Sequence, residues 1–275
     1  MRNNQSRYAQ LFKTLQQKGE IAWIPFVMLG YPDMQRSIKY IETFIENGAD
    51  AFEIGIPFSD PVADGVLIQE SARIALLQGS SVEKCMAALA SVREKYPDIP
   101  MGLLTYANLV YRPGIATFYG NCFKAGVDSV LIADLPLLEA QAFIDAADSA
   151  QVDAVFIAPP NASDSTIQTL SKLQGGYTYV VSRAGVTGDN NQVEYPEKIV
   201  KSLLHYQAPP PVLGFGISKP EHVAKAAALG FKGVISGSAI TRIISNYASK
   251  TDSKSEALLL NELKVFSEAM KIHRT

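Results

Sequence analysis

Residues 48–65 read GADAFEIGIPFSDPVADG, and the first half of that stretch sets the architecture. A small turn, Gly48-Ala49-Asp50, leads into a run in which Phe52, Ile54 and Ile56 share one parity while Ala51, Glu53 and Gly55 share the other. That is the period of a β-strand. The same punctuation returns as Gly126-Val127-Asp128 before SVLIA, Val152-Asp153 before AVFIA and Gly230-Phe231-Lys232 before GVISG. Adding IAWIPFVML, IPMGLLTY, YTYVVS and PVLGFG gives eight candidate strands, beginning near Ile21, Ala51, Ile99, Ser129, Asp153, Tyr177, Pro211 and Lys232. Most are short and apolar at nearly every position, as expected of parallel strands covered by helices.

The segments between them carry helical spacing. Asp33 is placed to cap a helix that turns Ile38, Ile41, Phe44 and Ile45 inward and ends at Gly48. Ser80-Ser81-Val82-Glu83 reads as a capping box before Cys85, Met86, Leu89 and Val92, and Ser218-Lys219-Pro220-Glu221 as a second one. Leu137–Ala150 and Ser163–Leu173 are amphipathic, and Leu67–Gln78 has room to be an extra helix after the second strand. Leu11 and Phe12 belong to an N-terminal helix placed to plug the barrel bottom; the tail beyond Ser245 reads as one or two further helices. The pattern predicts the α/β class: a single (β/α)₈ TIM barrel over residues 1–275 with extra N-terminal and loop helices. An open doubly wound sheet is the competing architecture, but only Gly30 stands where its glycine-rich phosphate turn should follow the first strand.

Composition narrows the function. A hydrophobic content of 47% with 19% charged residues supports a large core, and a net charge of −2 gives no basic footprint for nucleic acid. The polar N-terminus lacks a signal-peptide core, and Ile21–Leu29 is too short to span a bilayer, so a soluble cytoplasmic protein without membrane partners is the expectation. Cys85 and Cys122 form no CxxC pair, and Cys85 on an apolar helix face reads as packing.

Chemistry is expected where the strands end. Glu53 is a carboxylate inside an apolar strand, a costly place for one, and Asp60 and Asp64 follow on the next loop. Residues 182–189, SRAGVTGD, form a glycine-rich candidate lid. The last two strands end in Gly214-Phe215-Gly216-Ile217 and Ser236-Gly237-Ser238-Ala239, each running into a helix. Two such turns, with Gly188 on the lid, read as a phosphate cradle built from helix N-termini, its charge met mainly by backbone and hydroxyl donors. Phe26, Leu104, Tyr106, Leu131, Ala133, Ile157 and Tyr179 are placed by position along an apolar wall, with Phe215 between the glycines of the seventh turn. His205, His222 and His273 have no metal-type neighbours, and neither Ser182 nor Ser236 has a histidine base. The residues therefore point to a metal-free lyase or isomerase using general acid/base catalysis on a bulky apolar phosphate ester.

Six blocks, FEIGIPFSDPVADG, LLTYANLVYRPG, GVDSVLIADLP, YTYVVSRAGVTG, GFGIS and ISGSAI, resemble in order and spacing those of the α-subunit family of tryptophan synthase, over nearly the whole chain. The resemblance implies cleavage of indole-3-glycerol phosphate to indole and glyceraldehyde 3-phosphate. Indole would pass to a β subunit in an αββα heterotetramer; that subunit would carry pyridoxal phosphate and this chain no cofactor. Glu53 matches the family's principal acid/base, Asp64 its second carboxylate and Tyr179 a residue beside the acid. Gly188, Gly216, Gly237 and Ser238 match the phosphate cradle, and Thr187 a lid residue that pairs with the loop aspartate. Pro57, Asp60 and the segment Tyr106–Arg112, including Asn108 and Arg112, match the face toward the β subunit. Met28 and Val66 depart from the family pattern, which has a small polar residue and a proline there. Two alternatives stay open: a catalytically weak barrel that serves the β subunit as an allosteric partner, and a related phosphate-binding synthase or isomerase.

Overall fold

A computed structural model describes residues 6–173, 175–181 and 193–271. Eight parallel strands follow one another around a closed barrel: β1 (Ala22–Met28), β2 (Phe52–Gly55), β3 (Met101–Thr105), β4 (Ser129–Ile132), β5 (Asp153–Ala158), β6 (Thr178–Val181), β7 (Pro211–Gly214) and β8 (Gly233–Ser236). β1 pairs with both β2 and β8, so the ladder has no free edge and the open-sheet alternative is excluded. The expected strand starts lie within two residues of those found.

Twelve α-helices lie among the described residues. α1 (Arg7–Lys18) precedes the barrel, and α2 (Met34–Glu46) follows β1. α3 (Val66–Leu77) is the extra helix expected after β2, one residue earlier than its periodicity suggested, and α4 (Val82–Lys95) returns the chain to β3. Then come α5 (Ala107–Tyr111), α6 (Ile115–Lys124), α7 (Gln141–Ala150), α8 (Asp164–Leu170), α9 (Glu197–His205), α10 (Pro220–Ala228), α11 (Ser238–Ser245) and α12 (Ser253–Lys271). The tail beyond Ser245 thus contributes one helix, and the expected helix from Leu137 starts as a 3₁₀ turn (Leu137–Glu139) before α7.

Local chemistry explains most boundaries. Asp33 caps α2 by accepting from the Arg36 N–H. Both capping boxes are displaced by one residue. Ser81, not Ser80, caps α4 by accepting from the Lys84 N–H, and the cap of α10 is Lys219, whose side chain makes no cap hydrogen bond. In α2, Ile41 and Phe44 are buried as expected, but the burial extends to Ser37 and Tyr40 while Ile38 and Ile45 stay half-exposed. The reason is that α2 packs on β1 beneath it and on α12 and α4 beside it, which widens the buried stripe beyond the face toward the barrel. Val66, at the first position of α3, is 78% exposed and packs on nothing that proline would disturb. Met28 faces the interior, with its methyl against Gly55.

The aspartate before the strand has a specific task at the N-terminal rim. Asp50 donates its backbone N–H to the Trp23 carbonyl and accepts the Trp23 N–H on its carboxylate. Asp128 repeats this device on β3, with the Met101 carbonyl and N–H. The side chain thereby replaces the main-chain acceptor that the ladder lacks at its start. Asp128 also accepts from Arg7 of α1 and Arg93 of α4, at 2.9 and 2.6 Å, and Arg93 further donates to the carbonyls of Tyr96, Pro97, Ile99 and Gly126. The N-terminal helix α1 fills the barrel floor through Tyr8, while Leu11 and Phe12 are partly buried and pack against the core. The Tyr8 ring meets Tyr177 at 5.5 Å, and its hydroxyl accepts from Ser129.

Removing the Asp128 carboxylate takes the counter-charge from Arg93 and Arg7 and the acceptor from the Met101 N–H together. Asp128→Ala is expected to cost about 3 kcal/mol, read as a lower urea midpoint with an unchanged slope.

Candidate active site

Alternation along β2 puts Phe52 and Ile54 against the helices and Glu53 into the barrel. Glu53 is 2% exposed, and the Tyr177 hydroxyl donates to its Oε1 at 3.3 Å. Burial pushes its carboxyl up to about 8; the Tyr177 hydrogen bond opposes this, and the negative charge of Asp64 adds to it. At neutral pH Glu53 therefore holds a proton.

Asp64 closes the loop after β2, just before α3. Tyr106, the residue after β3, turns its hydroxyl to this loop, donating to Asp64 Oδ2 at 2.9 Å and accepting from the Ala63 N–H. Its ring stacks on Phe58 at 5.2 Å, and Gln69 from α3 donates to the Asp64 carbonyl. Burial raises the Asp64 carboxyl to about 6, less than Glu53, and the Tyr106 hydrogen bond acts in the other direction. Two carboxyls of one wall thus differ in charge at pH 7: neutral Glu53 and ionised Asp64.

Both acids line a cavity of about 400 Å³ at the C-terminal end of the barrel. Phe26, Leu104, Tyr179 and Phe215 form its apolar wall, and it is also lined by Gly216 in the turn that leads to α10 and by Gly237 and Ser238 at the start of α11. Phe215 and Gly216 both have left-handed backbone, with φ of 69° and 78°. Gly214 must be glycine, because a Cβ there would overlap the Tyr179 ring and its hydroxyl.

Four expected wall residues fall elsewhere, and one of them, Ile157, is partly buried on β5 opposite Tyr179 without lining the cavity. Tyr106 serves the acidic loop, Leu131 is buried beside Leu104 without lining the cavity, and Ala133 sits half-buried beyond β4. Pro57 and Arg112 line a separate groove of about 690 Å³ beside α4 and α6, while Asp60 and Asn108 are exposed. Thr187, Gly188, the whole candidate lid at 182–189 and His273 lie outside the described residues. Among the described residues no cluster of three His, Cys, Asp or Glu could hold a metal, and no helix is long and apolar enough to cross a membrane.

Sequence reasoning missed Tyr177, the hydrogen-bond partner of Glu53. Its signal was its parity with Tyr179, which sends both into the barrel. Arg242 was also missed. It stands one helical turn after Ser238 and reaches the cavity from α11, so the cradle has a cation that inspection of the turns alone did not find.

A family model described as "Tryptophan synthase alpha chain" matches residues 12–271. The tryptophan synthase alpha chain of Francisella tularensis subsp. tularensis (strain WY96-3418) is 49% identical over 267 residues, 97% of each chain. That of Photobacterium profundum is 51% identical over 241 residues, 87% of this chain and 90% of its own. A crystal structure of the tryptophan synthase complex from Pyrococcus furiosus contains a chain that superposes with a TM-score of 0.79 at 29% identity, covering 91% of this chain and 98% of that one.

The raised carboxyl of Glu53 has a thermodynamic consequence. Between its unfolded value of 4.5 and its folded value of about 8, the folded chain binds a proton that the unfolded chain has released. Stability is therefore full below the lower value and is lost as pH rises through the window, by several kcal/mol. Urea midpoints of the parent should fall between about pH 5 and 8.5. Those of Glu53→Gln should fall less and exceed the parent's at the alkaline end of that range.

Proposed function

The chain belongs to the tryptophan synthase alpha chain family, and from that premise we propose that Glu53 and Asp64 carry out its reaction as general acid and charge stabiliser. The chain is a lyase that cleaves indole-3-glycerol phosphate to indole and glyceraldehyde 3-phosphate, and it works with a β subunit. One observation carries the assignment of roles: a buried carboxyl, neutral at pH 7, shares a cavity with an ionised one, and the turn before α10 and the N-terminus of α11 line the same cavity.

Indole leaves poorly until its C3 is protonated. Glu53 supplies that proton, which interrupts the ring's aromaticity and places positive charge on the indole nitrogen. Asp64 accepts a hydrogen bond from that N–H and stabilises the cation. The bond from C3 to the glycerol carbon then breaks, and its electron pair returns to the ring. The glycerol hydroxyl gives up its proton as it becomes an aldehyde, and Glu53, now ionised, takes it back. The phosphate rests on the N–H groups at Gly216, Gly237 and Ser238, with Arg242 on the same side. Phe26, Leu104 and Phe215 hold the indole ring. Tyr179 completes the surroundings of the ring.

The β subunit meets the C-terminal rim through Pro57, Asp60, Asn108 and Arg112. Tyr106 supports this reading, since its hydroxyl ties the Asp60–Asp64 loop to the start of α5, the helix that contains Asn108. Pyridoxal phosphate belongs to the β subunit in this arrangement and has no role in the cleavage.

Indole release by the purified chain, with and without a β subunit, tests the assignment. kcat/KM should follow a bell between limbs near pH 6 and pH 8, set by ionisation of Asp64 and deprotonation of Glu53. Glu53→Gln should lose roughly 10²- to 10⁴-fold in kcat, and Asp64→Asn should abolish the acid limb. An undiminished rate in Glu53→Gln would reject Glu53 as the acid.

A further inference from the structure

The second capping box expected from the sequence does not form, and what replaces it bears on the phosphate turn. Position 222, third in α10, is where a capping-box Glu or Gln would reach back to the cap residue's N–H. Here it is His222, and its Nδ1 accepts from the N–H of Ser218, one residue further back, at 3.2 Å. Ser218 belongs to the turn that begins with the two left-handed residues Phe215 and Gly216 and lines the cavity. A left-handed phenylalanine is strained and persists only if its surroundings hold it. The apolar restraints are Tyr179 against the Phe215 ring at 6.2 Å and Val193 over Gly216. His222 adds a polar one, fastened to the helix itself.

We propose that His222, as the neutral Nε2–H tautomer, is a positioning residue that holds the Gly216–Ser218 turn in its phosphate-binding conformation. The inference rests on the reading of that turn as part of the phosphate cradle. An acceptor at Nδ1 must be unprotonated. Once protonated, Nδ1 opposes the Ser218 N–H and turns to the Gly216 carbonyl, the acceptor beside it. The groups that face the ring set the balance. Burial and Lys219 favour the neutral form and Lys225 adds to them, while Glu221 and the Gly216 carbonyl favour the cation; the net direction is downward from 6.5. Lys225 itself lies over the Tyr195 ring, whose hydroxyl donates to the His222 carbonyl. His222 is thus an acceptor at pH 7, and the turn is held there.

The test uses inorganic phosphate as a competitive probe against indole-3-glycerol phosphate, on the full chain with its β subunit. His222→Ala should raise both the inhibition constant of phosphate and the KM of the substrate roughly three- to tenfold, the loss of one hydrogen bond, with the change falling in KM rather than kcat. His222→Gln, which keeps an acceptor, should restore both. As pH falls below the ordinary imidazole range, the parent should lose phosphate affinity relative to His222→Gln at the same pH, a comparison in which the titration of phosphate itself cancels. Equal inhibition constants in the parent and His222→Ala would overturn the proposal and leave the cradle standing. Tighter phosphate binding by the parent than by His222→Gln at low pH would also overturn it, since the imidazolium would then be a ligand. If phosphate fails to compete in the parent, the cradle reading falls, and the inference with it.

Discussion

Closing eight parallel strands into a ring sends every second side chain into an interior that little water can enter, and the chemistry of this chain follows from that constraint. In most positions the constraint is met by apolar or small residues. At Glu53 it is met by a carboxyl that accepts a hydrogen bond from the Tyr177 hydroxyl. A phenol stabilises a carboxylate far less than a cation would, so desolvation prevails and the proton stays on. The same barrel wall leaves Asp64 nearer the rim, on a loop rather than a strand, and its smaller shift follows from that position. Two carboxyls with different protonation states result from differing depth, with burial as the larger cause at each.

Depth along the barrel also separates stability from chemistry. At the N-terminal rim the polar groups are fully used. Asp50 and Asp128 each satisfy both the N–H and, through their backbone, the carbonyl of a strand residue, and Arg93 is spent on four carbonyls and a carboxylate. Tyr8 fills the floor and reaches Tyr177, whose hydroxyl points up to Glu53. The floor therefore positions the acid's partner as well as closing the barrel. At the opposite rim, by contrast, Gly216, Gly237 and Ser238 line a cavity.

The barrel was legible because its strands are marked twice, by apolar runs and by the aspartate or glycine before them. Both marks have physical causes, burial on two faces and the unmade hydrogen bond at a strand's start. The acids were legible because a carboxylate in an apolar strand has a cost that needs a reason. Cap positions were less so: Ser80 and Ser81 are adjacent and chemically equal, and only tertiary packing selects the second. Tyr106 had the right position for a cavity wall, but its side chain follows the Asp64 loop across to the neighbouring strand, a contact 42 residues away in sequence that no local pattern contains. Arg242 and His222 were hidden for another reason. Each acts on a turn from one helical turn downstream, so a reading confined to the turn itself passes over them.

That last geometry sets apart the two turns that lead from β7 and β8 into the cavity. The turn before α11 is short: Gly237 alone separates β8 from the helix, and a backbone with one free residue has little room to move. The turn before α10 has five residues, 215 to 219, between β7 and the helix, two of them in the left-handed region. Its conformation must be imposed from outside, by Tyr179 beneath, Val193 above and His222 from the helix. Burial chiefly holds the Tyr179 phenol protonated, and the Glu53 and Asp64 carboxyls act in the same direction where they are ionised. One side chain thus packs closely over Gly214 and against the ring of the strained Phe215, in the same cavity as both acids.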